Sequence, residues 1–345
     1  MKVLEFNPEK KDSAFLNLTE AEQPKISKDT CLVRVTGCGV CGSDLLKLER
    51  SLVKPGAVLG HEMVGKIAEI SDELSNKYNL KVGDRIVSSH HVPCLECDFC
   101  KNKQESLCIE FKTSNFKPGA FSEYLELSER HLKYTVKKVA EHISDIEASF
   151  TEPLACCIKA IKRSRVLDYQ GEVNSLIFGL GSIGQLIGRL LDFYRKEQNL
   201  NINNYGADLL TDKREIALNN GFDQCYEKLD SSSKKMNFIF LAAGANPCVD
   251  LAIEHINIGG TILVFSSVAD ISKAFTNNDI YYKELSVLGS YSPNLEDLNE
   301  AHKLIEEQKI KVSDLISHTA SLENLGETII KTRKENGMKA YLDLT

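Results

Sequence analysis

Four cysteines fall within one short stretch, Cys94-x-x-Cys97-x-x-Cys100-x7-Cys108. Thiolates at that spacing can wrap a single tetrahedral ion, and a shell of four thiolates with no open position is a structural zinc site. The same opening begins iron–sulfur motifs, which continue to a further cysteine after three residues and then to proline. Here the gap is longer and Ile109 follows Cys108, which favours zinc. A second, looser set of donors is spread along the chain. Gly39-Val40-Cys41-Gly42-Ser43-Asp44 presents a thiolate on a glycine-flanked turn. Gly60-His61-Glu62 presents an imidazole and a carboxylate, and Thr151-Glu152-Pro153 presents a carboxylate beside a proline-fixed backbone. One sulfur, one nitrogen and carboxylate oxygen leave a position for water or substrate, the mark of a catalytic zinc. Singly these pieces are weak, since an isolated His61 equally fits a hydrogen-bonded core histidine. Their joint presence carries the reading.

A different chemistry is written in Gly179-Leu180-Gly181-Ser182-Ile183-Gly184. The run 175–178 before it is apolar like a buried strand, and the stretch to Arg195 after it is amphipathic like a helix. In that setting the first glycine allows a tight turn, the second lets backbone approach a pyrophosphate, and the third lets helix and strand pack closely. The N–H groups at the helix start, those of Ser182 and Ile183 among them, can then receive phosphate oxygens. The second strand of such a sheet ends in an acid that holds the adenosine ribose. Asp208, in Tyr205-Gly206-Ala207-Asp208, fits that place, with Asp212 as competitor and Lys213 as a further cofactor contact. Asp208 lies 24 residues past Gly184, a little beyond the expected spacing, and the polar stretch 196–204 is read as the insert that absorbs the excess. A carboxylate at the ribose repels a 2′-phosphate, so NAD is expected over NADP.

The elements that must hold these residues change character along the chain. The first third has short strand-like runs at 31–35, 62–70 and 86–88, broken by glycine. This is the pattern of a barrel-like β domain. From about residue 175, apolar runs at 238–243 and 261–265 alternate with helical segments, which implies a parallel sheet. Segments 295–308 and 322–334 read as helices, and 231–233 as a short polar loop. The expected fold class is therefore α/β, a β-rich domain joined to a doubly wound parallel sheet.

Length and composition bound the rest. The 345 residues suggest two domains. A net charge of −7 argues against a nucleic-acid partner. No uncharged apolar run is long enough to span a bilayer, and the first eleven residues lack the apolar core of a signal peptide, so a cytoplasmic protein is expected. Cys31, Cys38, Cys156, Cys157, Cys225 and Cys248 are expected as packed thiols, with Cys156 the least certain because it lies close to Glu152.

The order of these motifs resembles one family. It runs through the Cys41 turn, Gly60-His61-Glu62-x-x-Gly65, Val82-Gly83-Asp84-Arg85-Ile86, the four cysteines, Gly119-Ala120-Phe121-Ser122-Glu123-Tyr124, Glu152-Pro153-Leu154, the glycine loop and Leu288-Gly289-Ser290-Tyr291. The family is the zinc-containing medium-chain dehydrogenases, in their polyol (sorbitol-dehydrogenase-like) branch. The resemblance implies a GroES-like catalytic domain at 1–150, resumed at 290–345, and a Rossmann NAD-binding domain at 151–289, with the cleft between them. It implies hydride transfer from a secondary hydroxyl of a small polyol to NAD, and a homodimer or homotetramer. Cys41 and His61 would hold the catalytic zinc with Glu62 and Glu152 sharing the carboxylate role. Cys156 is the minor alternative. Ser43 would carry the proton, and Asp44 would anchor its loop. Asn115, Phe116 and Phe121 would line the pocket.

Three departures from the family stand out. Ser71 replaces a usual glycine, Leu46 replaces a relay histidine, and the stretch to Asp208 is long. Competing readings are a relative acting on a phosphorylated sugar alcohol (with Lys47 at the phosphate), on a threonine-like amino acid or on a simple alcohol. A non-catalytic nucleotide sensor and a zinc-module nucleic-acid binder are further rivals, disfavoured by the intact donors, the charge and the glycine loop.

One closed and one open site predict about two zinc ions per chain. Elemental analysis checks this. Cys97→Ser is expected to lose one zinc together with much stability, whereas Cys41→Ser loses the other with less effect on folding. Iron in the purified protein would contradict the assignment.

Overall fold

The computed structural model describes residues 1–230, 232–244, 246–266 and 275–345, so Ser231 of the expected polar loop lies outside the described residues. The strands before the glycine loop are β1 (Lys2–Phe6), β2 (Leu16–Glu20), β3 (Thr30–Gly39), β4 (Glu62–Glu69), β5 (Arg85–Val87), β6 (Tyr124–Ser128) and β7 (Lys137–Lys138). Then come β8 (Val173–Phe178), β9 (Ile202–Ala207), β10 (Gln224–Tyr226), β11 (Met236–Leu241), β12 (Ile256–Val264) and β13 (Ser286–Gly289). The last two are β14 (His318–Ala320) and β15 (Ala340–Asp343). The chain divides into two compact units, Met1–Pro153 with Asn294–Gln308 and Val312–Thr345, and Leu154–Pro293 with Lys309–Lys311.

The first unit is built on β3. It pairs antiparallel with β4, β6 and β15, within a seven-stranded sheet whose path is β14-β15-β3-β4-β5-β7. Its side chains are buried along almost the whole length, as expected of a strand covered on both faces. The register sets Gly39 opposite Glu62 on one side and opposite Tyr341 on the other. Leu4, Val33, Val35, Ile67, Leu125 and Leu342 lie in one shared core. Strand β4 stops at Glu69, and Ser71 caps the helix Asp72–Tyr78 by accepting the Leu74 N–H at 3.3 Å. A serine oxygen does there what glycine cannot. Cys31 and Cys38 are packed thiols, and burial pushes Cys31 up to about 12.

The second unit holds a fully parallel sheet in the order β10-β9-β8-β11-β12-β13. Numbered within the unit this is 3-2-1-4-5-6, the doubly wound arrangement whose strand order reverses beside the first strand. The helix Ser182–Glu197 buries Leu186, Ile187, Leu190, Leu191 and Tyr194, an i, i+4, i+8 stripe on one face. The polar stretch 196–204 is not a loop insert as expected. Lys196 and Glu197 finish this helix, and Ile202 to Asn204 already belong to β9. The Asn204 amide is wholly buried and donates to the Gly188 and Gly221 carbonyls, each at 3.0 Å, so a polar residue there serves the sheet.

His131 shows how the first unit uses polarity inside its core. It is 2 % exposed. Its Nδ1 accepts the Ser128 N–H at 3.3 Å, and its Nε2 lies 3.1 Å from the His90 carbonyl, to which it donates. Acceptance at Nδ1 requires the neutral ring. Burial holds its pKa down to about 4. An unfolded histidine titrates near ~6.5, so the unfolded chain binds a proton that the folded one refuses. Stability is therefore complete above that pH and is lost as pH falls from ~6.5 towards 4. Urea denaturation followed across that window is expected to show the decline, with a shallower slope for His131→Gln. An unchanged slope would remove His131 from the account.

Candidate active site and metal centres

Cys41 caps the helix Gly42–Glu49, and the cap doubles as the site. Its sulfur accepts the Ser43 N–H at 3.4 Å and the Ser43 hydroxyl at 3.3 Å, while the Asp44 carboxylate accepts the Cys41 N–H at 3.3 Å. The other oxygen of Asp44 lies 3.1 Å from His61 Nδ1. Burial would raise the Asp44 carboxyl, but the adjacent His61 ring holds it below its ordinary value. A carboxylate on Nδ1 fixes the ring so that Nε2 faces away as a ligand. Ligand atoms of Cys41, His61 and Glu62 all lie within 4.8 Å of one another. Sulfur, imidazole and carboxylate together suit zinc, and three protein donors leave a position open.

Glu62 has a partner of its own. Lys339, just before β15, places its ammonium 2.7 Å from Oε1 and 2.6 Å from Oε2. Both residues are almost fully buried, at 5 % and 1 % exposure. Burial alone would pull the Lys339 ammonium down, yet the charge of Glu62 holds it above its usual value. Gly39 makes room for the pair, since a Cβ there would sit 2.0 Å from Glu62 Oε2 and 2.8 Å from Lys339 Cε.

The four-cysteine lobe fits a metal on its own geometry. Cys94, Cys97, Cys100 and Cys108 all lie within 4.8 Å of one another, with sulfur separations of 3.8 Å from Cys94 to Cys100 and 3.6 Å from Cys97 to Cys100. A tetrahedron with zinc–sulfur bonds of ~2.3 Å sets its sulfurs about 3.8 Å apart. These distances exclude a disulfide and match a shared ion. Backbone N–H groups of Cys94, Glu96 and Cys97 point at the sulfurs of Cys108 and Cys94. Burial raises the Cys108 thiol, but the N–H groups of Cys94, Phe111 and Glu110, with the Cys94 side chain, bring it down to about 6, towards the thiolate that a metal needs.

In the second unit the glycine loop lies where β8 gives way to the helix Ser182–Glu197, with Gly181 as its N-cap. Gly179 has φ +87°, and a Cβ on Gly184 would sit 1.9 Å from the Gly179 carbonyl, so the turn and the close packing both need glycine. Nothing lies within 4 Å of a Cβ built on Gly181, which leaves the approach to a phosphate clear. Ser182 and Ile183 open the helix with N–H groups that have no partner within it. Asp208 follows β9 directly. Its carboxylate accepts the Leu180 N–H at 2.8 Å and the Leu210 N–H at 2.9 Å, so it is fixed against the loop. Asp212 lies farther along, exposed in the helix Thr211–Leu218, and the Lys213 carbonyl receives Gln185 Nε2 at 3.0 Å.

The structure thus brings together Cys41, His61 and Glu62 and, apart from them, the four thiols. Glu152 is buried in the first turn of the helix Thr151–Ser164, outside the set that shares the 4.8 Å cluster, and Cys156 lies further along that helix. Asn115 and Phe116 line a cavity with His61. Phe121 does not. It is fully buried in the core of the first unit, and its backbone bonds Leu4 and Leu59. Sequence reasoning missed Lys339, whose only local trace is a lysine inside the otherwise strand-like 339–343. Among the described residues no helix is long and apolar enough to cross a membrane.

Comparison with known proteins agrees with this geometry. Residues 27–138 match the alcohol dehydrogenase GroES-like domain. The chain is 26 % identical to D-arabitol-phosphate dehydrogenase of Enterococcus avium, over 96 % of this chain and 93 % of that protein. It is 27 % identical to erythritol/L-threitol dehydrogenase of Mycolicibacterium smegmatis, over 92 % of each. The alcohol dehydrogenase TADH of Thermus sp. ATN1 superposes with a TM-score of 0.83 at 20 % identity over the whole of both chains, a likeness of fold. A GroES-like domain with two zinc-suited donor sets, alongside a doubly wound nucleotide-binding unit, defines a zinc-dependent dehydrogenase. Along nearly its whole length the chain is similar to polyol dehydrogenases.

Removing one partner of a buried ion pair leaves an uncompensated charge and costs about 3–5 kcal/mol. Lys339→Met is expected to lose stability of that order in urea denaturation, and Glu62→Leu combined with Lys339→Met to recover much of it. A Lys339→Met protein as stable as wild type would show that the pair contributes nothing.

Proposed function

We propose that this protein oxidises a secondary hydroxyl of a small polyol and delivers the hydride to NAD, as a cytoplasmic homodimer or homotetramer. The observation that carries the reading is the set of Cys41, His61 and Glu62 at the edge of a cavity of ≈ 570 Å³ to which His61 contributes a wall. When bound, zinc lowers the pKa of a hydroxyl it ligates, and NAD supplies the hydride acceptor.

The chain's own residues do the rest. Cys41 and His61 supply sulfur and nitrogen, with Asp44 fixing the imidazole. Glu62 supplies a carboxylate held in place by Lys339, and Glu152 shares that role from the start of its helix. The Ser43 hydroxyl, exposed and beside the Cys41 sulfur, accepts the released proton and hands it to water, because Leu46 has no titratable group to extend a relay. Gly179, Gly181 and Gly184 admit the pyrophosphate, Ser182 and Ile183 bind it through backbone N–H groups, and Lys213 lies alongside. Asp208 takes the ribose hydroxyls. Relatives that act on arabitol phosphate and on erythritol or threitol support a polyol over a simple alcohol.

The test is a screen of polyols and their ketoses with NAD and NADP in parallel. A secondary polyol hydroxyl with NAD is expected to give the highest kcat/KM, and Asp208→Asn to narrow the gap between the cofactors. Better turnover of a plain primary alcohol than of every polyol would defeat the substrate assignment. Equal or better use of NADP by the wild type would remove Asp208 from the ribose.

A further inference from the structure

The four-cysteine lobe has almost no interior of its own. Its core consists of Cys100, Cys108 and Phe111, with Cys94 and Cys97 partly covered. Leu95, Phe99, Leu107 and Ile109 are exposed. So small an apolar core cannot fix a loop, and a segment of this kind takes its shape from the ion that its thiolates share. The stretch most dependent on that ion is 101–107, because Cys100 and Cys108 stand at its two ends. Within it Lys103 has φ +56°. The Gln104 N–H donates to the Phe99 carbonyl at 2.8 Å, and the Cys108 N–H to the Glu105 carbonyl at 3.0 Å.

The same stretch reaches residues that lie 190 and 191 positions further along the chain. The helix Leu295–Glu306 begins with N–H groups that have no partner within it. The Glu105 carboxylate accepts the Leu295 N–H at 2.8 Å, and the Lys103 carbonyl accepts from Asn294 Nδ2 at 3.2 Å. The helix dipole also favours a carboxylate at this end. Lys103 and Glu296 lie 3.9 Å apart, but both are exposed and their pairing adds little. The place held in this way is a junction in the chain. The nucleotide-binding stretch ends at Pro293, and the first unit resumes at Asn294. Strand β13 ends at Gly289, so residues 290–293 alone separate the parallel sheet from the point that the lobe grips.

We propose that the four-thiol lobe is a clamp on this junction. Its metal holds 101–107 in the shape that presents Glu105 and the Lys103 carbonyl to the start of the helix. Glu105 is a positioning residue, since its carboxylate is not among the donors that cluster around the metal. Metal binding and the grip on the helix are then coupled, and such coupling is reciprocal. The metal strengthens the grip, and the grip strengthens binding of the metal. The donors at Cys41 and His61 take no part, so the zinc they would hold serves as an internal reference.

The experiment uses the whole protein with zinc bound. A colorimetric chelator competes for zinc in wild type, Glu105→Ala and Glu105→Gln, and the lobe zinc is identified by repeating the titration in Cys41→Ser. Hydrogen exchange is followed by mass spectrometry over residues 294–306. Glu105→Ala is expected to weaken zinc at the lobe on the order of tenfold, the scale of one hydrogen bond to a charged group, and to leave the other zinc unchanged. Amides at the helix start are expected to exchange on the order of tenfold faster, while the rest of the first unit keeps its protection. Glu105→Gln retains an accepting oxygen and is expected to recover most of both effects. Cys97→Ser is expected to speed exchange at the helix start, and Glu105→Ala added to it to speed it no further. Unchanged lobe affinity in Glu105→Ala overturns the inference, as does an equal loss at both metal sites or faster exchange throughout the unit. Additive effects of Cys97→Ser and Glu105→Ala overturn it too, as does purified protein without zinc at the four thiols. If Cys97→Ser does not fold, the affinity and exchange of Glu105→Ala decide the matter. None of these readouts involves turnover, so they are independent of the substrate and cofactor assignments.

Discussion

Glu62 and Lys339 form a buried ion pair between residues that are 277 positions apart, and the first unit is arranged around it. Two charges withdrawn from water are tolerated only where geometry and neighbours compensate each of them. Here the geometry comes from three strands. β4 starts at Glu62, β3 ends at Gly39, and β15 begins next to Lys339. The pair occupies the space that a side chain at Gly39 would take. The Lys339 ammonium also lies over the Phe150 ring, 5.8 Å from its centroid. Strand register, a missing Cβ and an aromatic face thus all fix one carboxylate beside Cys41 and His61.

Asp44 plays the complementary part at short range. A single carboxylate closes the helix cap and orients the imidazole, so the local fold of the Cys41 turn and the aim of His61 are one arrangement. The second unit repeats the economy. Asp208 ties the loop after β8 to the loop after β9 through two backbone N–H groups. The group proposed to meet the ribose is the group that sets the loop's shape, and a substitution there alters both.

What could be read from the sequence was what is encoded locally. The cysteine spacing, the Cys41 turn, the glycine loop and the alternation of strands and helices each lie in a few consecutive residues, and the α/β class followed from them. What could not be read depends on distant pairing. Nothing near Lys339 tells that it will meet Glu62, because that meeting is made by β15 joining β3. The stretch 196–204 looked like an insert because its residues are polar, but Asn204 satisfies backbone carbonyls inside the sheet. Phe121 looked like a pocket residue from its place among glycines, yet backbone bonds from Leu4 and to Leu59 draw it into the core. The cavity beside His61 is assembled from segments more than sixty residues apart in sequence, between Lys47 and Lys112, and no local pattern announces it.

The first unit is interrupted in sequence by the second, and the order of synthesis follows that interruption. A ribosome makes β3, β4 and Glu62 early and reaches β15 and Lys339 only after the whole nucleotide-binding unit has been made. Until then Glu62 has no cation to accompany it into the interior, and the edge of β3 that β15 will cover stays open. Domains tend to fold as they emerge, so the second unit can be complete while the first still waits for its closing strand. The Cys41, His61 and Glu62 set is then among the last parts of the molecule to take its final shape.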